Sequence, residues 1–122
     1  MSTRKLLNKS KNIEVAHTLR EARSFWQRTK GLLGENALPS GSALLIQGSR
    51  FIPCNSIHTL FMRFPIDVVF VDRKLVVRAI YQDLGPWRLT WPAAGASSVF
   101  ELPAGTLKKT SVEIGDQLHV GD

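Results

Sequence analysis

The chain has 122 residues, a formal net charge of +6 and a single cysteine, which fits one compact domain and excludes an internal disulfide. No apolar run approaches the roughly 18 residues of a membrane span, and no apolar segment follows the basic start, so the expectation is a soluble, cytoplasmic protein. The charge excess lies wholly in residues 1–30, where eight bases face Glu14 and Glu21, while 31–122 balance eight bases with eight acids. That segment lacks the interleaved aromatics of a stacking platform, so nucleic-acid binding is disfavoured against a solvated terminus and helix face.

Residues 1–11 read as a basic, flexible start, and 12–122 as one globular domain. Asn12–His17 alternates briefly and predicts a short strand. Thr18-Leu19-Arg20-Glu21 matches a capping box, and apolar residues then recur at three- and four-residue steps through Leu33, predicting an amphipathic helix over 18–33 closed by Gly34. Beyond residue 35, Pro and Gly punctuate short β-branched or aromatic runs. Strands are expected at 43–46, 56–62, 66–71, 75–81, 98–102 and 117–120, with Asp72-Arg73-Lys74 as a hairpin loop. The expected fold is mainly β, an antiparallel sandwich or partly closed barrel with one N-terminal amphipathic helix.

Cys54 and His58 raise the possibilities of a metal pair or a nucleophile with its base. Four residues of strand separate them by about 13 Å, far beyond the about 2.0 to 2.3 Å of zinc ligation or the about 3 Å of a nucleophile–base contact. Unless a turn intervenes at Pro53 or Asn55-Ser56, a buried structural thiol is the better reading, and no metal or other cofactor is assigned. His58 shares a strand face with Leu60 and Met62, where it is either a satisfied core histidine or a polar group at the base of a pocket. Asp67 opens the apolar run 66–71. It either anchors a turn or backbone amide, or joins His58, and with it Glu101, around a polar ligand. Pro65 interrupts the strand and could fold Arg63 back toward Asp67. Trp87-Arg88-Leu89-Thr90-Trp91 sits between Pro86 and Pro92, and its two indoles either plug the core edge or line a binding surface.

Four ordered motifs carry a family likeness: Arg28-Thr29-Lys30-Gly31-Leu32-Leu33-Gly34, the run HTLFMRFPIDVVF from His58 to Phe70, Glu101-Leu102-Pro103-Ala104-Gly105-Thr106, and Gly115-Asp116. With them the chain resembles, from about residue 12 to about 120, the prokaryotic family called domain of unknown function 192. The resemblance implies a mainly β, sandwich-like single domain of uncharacterised role. Many of that family resemble exported or lipid-anchored proteins, whose signal segment is not seen here. Many relatives also carry Trp-Met-Lys-Asn where this chain has Phe61-Met62-Arg63-Phe64, and the lost amide counts against a ligand contact at Phe64.

No complete catalytic motif is present. The leading expectation is a non-enzymatic binding or accessory domain for a small polar ligand or a protein partner, with a site formed by His58, Arg63, Asp67, Trp87, Arg88 and Trp91. The alternative is a small acid/base hydrolase or lyase, with or without a metal, that uses His58 with Asp67 or Glu101.

Overall fold

A computed structural model describes residues 4–22, 38–47, 56–57 and 64–121. Among the described residues, eight strands form two sheets. β1 (Lys5–Asn8), β2 (Ile13–Ala16) and β8 (Leu118–Gly121) make a three-stranded antiparallel sheet in the order β2-β1-β8. β3 (Thr18–Ala22), β4 (Ser42–Gln47), β5 (Ile66–Val71), β6 (Val77–Leu84) and β7 (Ser98–Pro103) make a five-stranded sheet in the order β3-β4-β7-β5-β6. The only helix among the described residues is α1 (Thr106–Thr110), reached from β7 through Gly105 in the left-handed conformation at φ 94°.

The central strands of the large sheet are buried on both sides. Val69, Val71, Phe100 and Leu102 pack with Leu6 and Val15 of the small sheet and with Leu107 of α1. Ile66, Val68, Phe70, Val99 and Leu44 face the other way, against Phe64, Ile57, Ala93 and Ala96. Every residue of β5 is buried, which explains why its sequence reads as a continuous apolar run broken only at Asp67. The two sheets lie face to face as layers and do not close into a barrel.

The mainly β expectation and most strand positions agree with this fold. The N-terminal helix does not. Thr18–Ala22, expected as the first turn of a helix, is β3, lying parallel to β4 with all five residues in register from Thr18↔Ser42 to Ala22↔Ile46. Neither half of the capping box forms: the Thr18 hydroxyl lies 2.9 Å from Nδ1 of His17 and Glu21 pairs with Arg4 at 3.1 Å. A cap contributes about 1 kcal/mol, less than a row of ladder bonds together with the burial of Leu19 in the core. The remainder of the expected helix, residues 23–33, lies outside the described residues. The parallel β3–β4 pair also departs from a purely antiparallel sheet.

Lys5–Asn8, within the segment expected as a flexible start, is the central strand of the small sheet, with Leu6 and Asn8 fully buried. The spacing of Leu6 and Asn8 carries its inward face, but a buried asparagine hides the alternation. Asn8 donates through Nδ2 to Oδ2 of Asp116 at 2.8 Å, and the same oxygen accepts the Glu113 amide at 2.9 Å and lies 3.2 Å from Nζ of Lys11. Lys11 also pairs with Glu113 at 2.6 Å. This clasp ties β1 to the turn that enters β8. The β5–β6 hairpin closes through Asp72, which accepts the amides of Lys74 and Val76 and two bonds from the Arg78 guanidinium.

Burial opposes the charge on Asp116, but the bonds from Asn8, the Glu113 amide and Lys11 outweigh it and hold the carboxyl below its usual range. A carboxyl depressed in the folded state contributes stability that is present above its unfolded pKa, about 3.9, and is lost as pH falls through the lower folded value. Asp116→Asn is therefore expected to lower stability at pH 7 and to flatten the loss of stability below about pH 4. Urea unfolding across a pH series checks this, and parallel stability–pH curves for the two proteins would contradict it.

Candidate functional site

Asp67 points into the core cluster shared with the small sheet. Its cross-strand partner is Leu102, and Val69 and Val71, which point the same way, belong to that cluster. It is completely buried. One carboxylate oxygen, Oδ1, accepts the Asp83 amide at 2.8 Å and the other, Oδ2, accepts the Leu107 amide at 2.8 Å. Both needs arise from local backbone geometry. The β5–β6 register slips between Ile66 and Val68, where β6 carries an extra residue and Asp83 adopts φ 54°, turning its N–H off the ladder. At α1, the N-cap position is Gly105, which has no side chain to accept the first-turn amides. Asp67 therefore acts as the cap of α1 from a different element. The anchoring of backbone amides, one of the two readings offered by the sequence, forms; His58, the partner in the other, lies outside the described residues.

Glu101 lies on β7 opposite Val68 and Leu44, which places it on the other face of the sheet, also completely buried. Asp67 and Glu101 are thus neighbours along the sheet that face opposite ways. They do not form a carboxylate pair of the kind that acid/base hydrolysis employs. His58, Arg63 and Cys54 lie outside the described residues. Among the described residues, no group of three or more His, Cys, Asp or Glu side chains is placed to hold a metal ion.

The tryptophan segment follows β6 and runs over the face that bears Glu101. Its fixed point is Thr90, which is buried. The Thr90 amide donates to the Ile57 carbonyl at 2.9 Å, the Ile57 amide donates to the Thr90 hydroxyl at 2.9 Å, and Ser56 donates to the Thr90 carbonyl at 3.0 Å. These bonds engage Ser56 and Ile57 in irregular backbone, at the head of the strand expected over 56–62; residues 58–62 lie outside the described residues. The Trp91 amide donates to the Tyr81 hydroxyl at 3.3 Å, and Tyr81 stands edge-on to Phe70 in the core. Around this anchor the side chains point outward: Trp87 is 61 % exposed, Leu89 74 % and Trp91 81 %, with Arg88 exposed among them. The indoles do not plug the core. Asp67, which faces the opposite cluster, is not brought together with them. Leu89 is the residue that the sequence reading passed over, although its place between two tryptophans in a Pro-bounded loop is the same signal.

Residues 6–120 match the model of the family DUF192, described as "Uncharacterized ACR". The chain belongs to this family. Relatives of the same kind include the UPF0127 protein of Pyrococcus abyssi (strain GE5 / Orsay), 32 % identical over 114 residues that cover 93 % of this chain and 95 % of the relative. The UPF0127 protein of Pyrococcus furiosus is 33 % identical over 93 % of this chain and 96 % of its own. The crystal structure of a protein of unknown function from Novosphingobium aromaticivorans DSM 12444 has the same fold, with a TM-score of 0.75 at 22 % identity, over 95 % of this chain and 82 % of that one. A Sinorhizobium meliloti 1021 protein, named only provisionally as a transcription regulator, superposes with a TM-score of 0.76 at 23 % identity, covering 96 % and 91 %. At these identities the likeness is one of fold, so the DUF192 fold is shared while the role of its members stays uncharacterised. Among the described residues, no helix is long and apolar enough to cross a membrane.

Replacing Asp67 by Ala strands the buried Leu107 amide, at about 1 to 3 kcal/mol, and the partly buried Asp83 amide, at less. The expected loss of stability is about 1.5 to 4 kcal/mol, with Asp67→Asn losing less because its amide oxygen still serves one of the two donors. Urea unfolding checks this, and an Asp67→Ala protein as stable as the parent would remove the anchoring role.

Proposed function

We propose that the chain is a non-enzymatic binding domain that receives a protein partner on the loop 85–92. The observation that carries the reading is the outward display of Trp87, Leu89 and Trp91 on a loop held at Thr90 by bonds to Ile57. Exposed tryptophans set beside an arginine have the composition of interface hot spots. Three large apolar side chains kept in water on one short loop represent surface whose removal from solvent favours association. The anchor matters as well, since a loop already held in place loses less conformational freedom on binding. Arg88 is exposed on the same loop beside the indoles. Glu101 takes no part in this reading because it is completely buried, and Asp67 takes none because it is buried and its oxygens accept from Asp83 and Leu107.

The test places a photo-reactive amino acid at position 89 of the full chain and irradiates it in extract from its own cells. One recurrent cross-linked protein is expected. Trp87→Ala and Trp91→Ala should each reduce its recovery by about thirtyfold, the scale of a strong hot spot, with melting temperatures close to the parent's because both side chains are exposed. Recovery unchanged in both variants would overturn the reading.

A further inference from the structure

A second concavity lies away from the tryptophan loop, and none of residues 85–92 is among its described lining residues. Between the end of β2, the turn before β4 and the start of α1 the fold leaves a cleft of about 470 Å³, a volume that suits a small molecule. Its floor is apolar, with Val15, Ala16 and Leu38 all buried side chains at the base. Its rim carries Glu14, His17 and Lys109.

His17 is exposed, yet its ring is held in place. Its amide donates to the Gly41 carbonyl at 2.8 Å, its Nδ1 lies 2.9 Å from the Thr18 hydroxyl, and the imidazole packs directly on Gly41. A Cβ at residue 41 would come within 2.1 Å of the His17 Nε2, and the φ of +76° there also favours glycine. The turn is therefore one that accommodates the ring at the mouth of the cleft. The charges around it are unequal. Glu14 lies 3.9 Å from Lys5 and is partly neutralised by it, whereas Lys109 has no acidic partner among the described residues. The Thr106 and Thr110 hydroxyls, also in the lining, donate to the carbonyls of Pro103 and Thr106, and the His17 ring is engaged at Nδ1 by Thr18 and packed through Nε2 on Gly41, so the charged donor of the lining is Lys109, with the Ser40 hydroxyl beside it in the lining.

We propose that this cleft binds a small monocarboxylate with an apolar body, the carboxylate received by Lys109, the body lying on Val15, Ala16 and Leu38, and the fixed His17 ring walling the mouth. An apolar floor with a cationic donor at one edge discriminates by charge at the rim and by hydrophobic area below. The site is independent of the partner surface on the loop 85–92 and stands whether or not that reading does.

The test titrates the isotopically labelled full chain with 4-methylpentanoate and, separately, with 3-methylbutylamine, which has a similar branched body and the opposite charge. The expected result is saturable movement of the backbone signals of Val15, Ala16, His17, Gly41 and Gly105 with the carboxylate and markedly weaker binding of the amine. Lys109→Gln, an exposed position that leaves the core intact, is expected to weaken carboxylate binding about tenfold, the scale of one charge-assisted hydrogen bond. Its signals for residues 98–103 should stay unmoved. No saturable movement, movement centred on residues 85–92, equal binding of the amine, or undiminished binding by Lys109→Gln would each overturn the proposal.

Discussion

A carboxylate buried in a strand with no exposed residue sets the arrangement of this molecule. Asp67 accepts from the bulged amide of Asp83 and from the Leu107 amide at the head of α1, so β5, β6 and the helix meet at one side chain. The bulge turns an N–H away from its ladder and the glycine cap leaves the helix without a local acceptor. The bulge alone would leave a partly buried donor unmet and the helix start a buried one, and one residue resolves both. Because β5 sits between β7 and β6, the same carboxylate also fixes where β6 ends and hence where the chain departs toward the tryptophan loop.

The second constraint is the double burial of the central strands of the five-stranded sheet. With the small sheet and α1 on one side and the segments around Ile57, Phe64 and Ala93 on the other, alternate residues of β5 and β7 serve different cores. This alternation separates Asp67 from Glu101, adjacent along the sheet and opposite in direction. It also explains why acid/base chemistry shared by the two carboxylates finds no support, while the surface above the Glu101 face carries the exposed aromatic side chains.

The strands of the large sheet were legible because β-branched and aromatic runs bounded by Pro, Gly and Asp carry their own signal, and the observed β4, β5 and β7 lie within a residue or two of the expected bounds. The helix expectation over 18–33 failed at its start because Thr18 and Glu21 satisfy a local pattern whose outcome is decided by a distant strand, β4. β1 escaped notice for the related reason that its inward positions are Leu6 and Asn8, and a buried asparagine reads as solvent-facing until its partner Asp116 is known. At the site, the role of Asp67 as an anchor of backbone amides was one of two readings open from its place in an apolar strand. That role depends on a bulge in another strand. The aromatic loop was visible as a motif, but its outward orientation depended on Thr90, whose bonds to Ile57 span 33 positions of sequence.

Thr90 has a further consequence. The loop is secured through main-chain groups and one hydroxyl, while the side chains on either side, Leu89 and Trp91, contribute little to the interior. Interior anchoring and surface display therefore meet within the same five residues, with Thr90 buried among exposed neighbours. The exposed side chains at 89 and 91 flank a buried threonine, so this segment can carry different surface chemistry on the same scaffold, and an engineer could use it as a graft site.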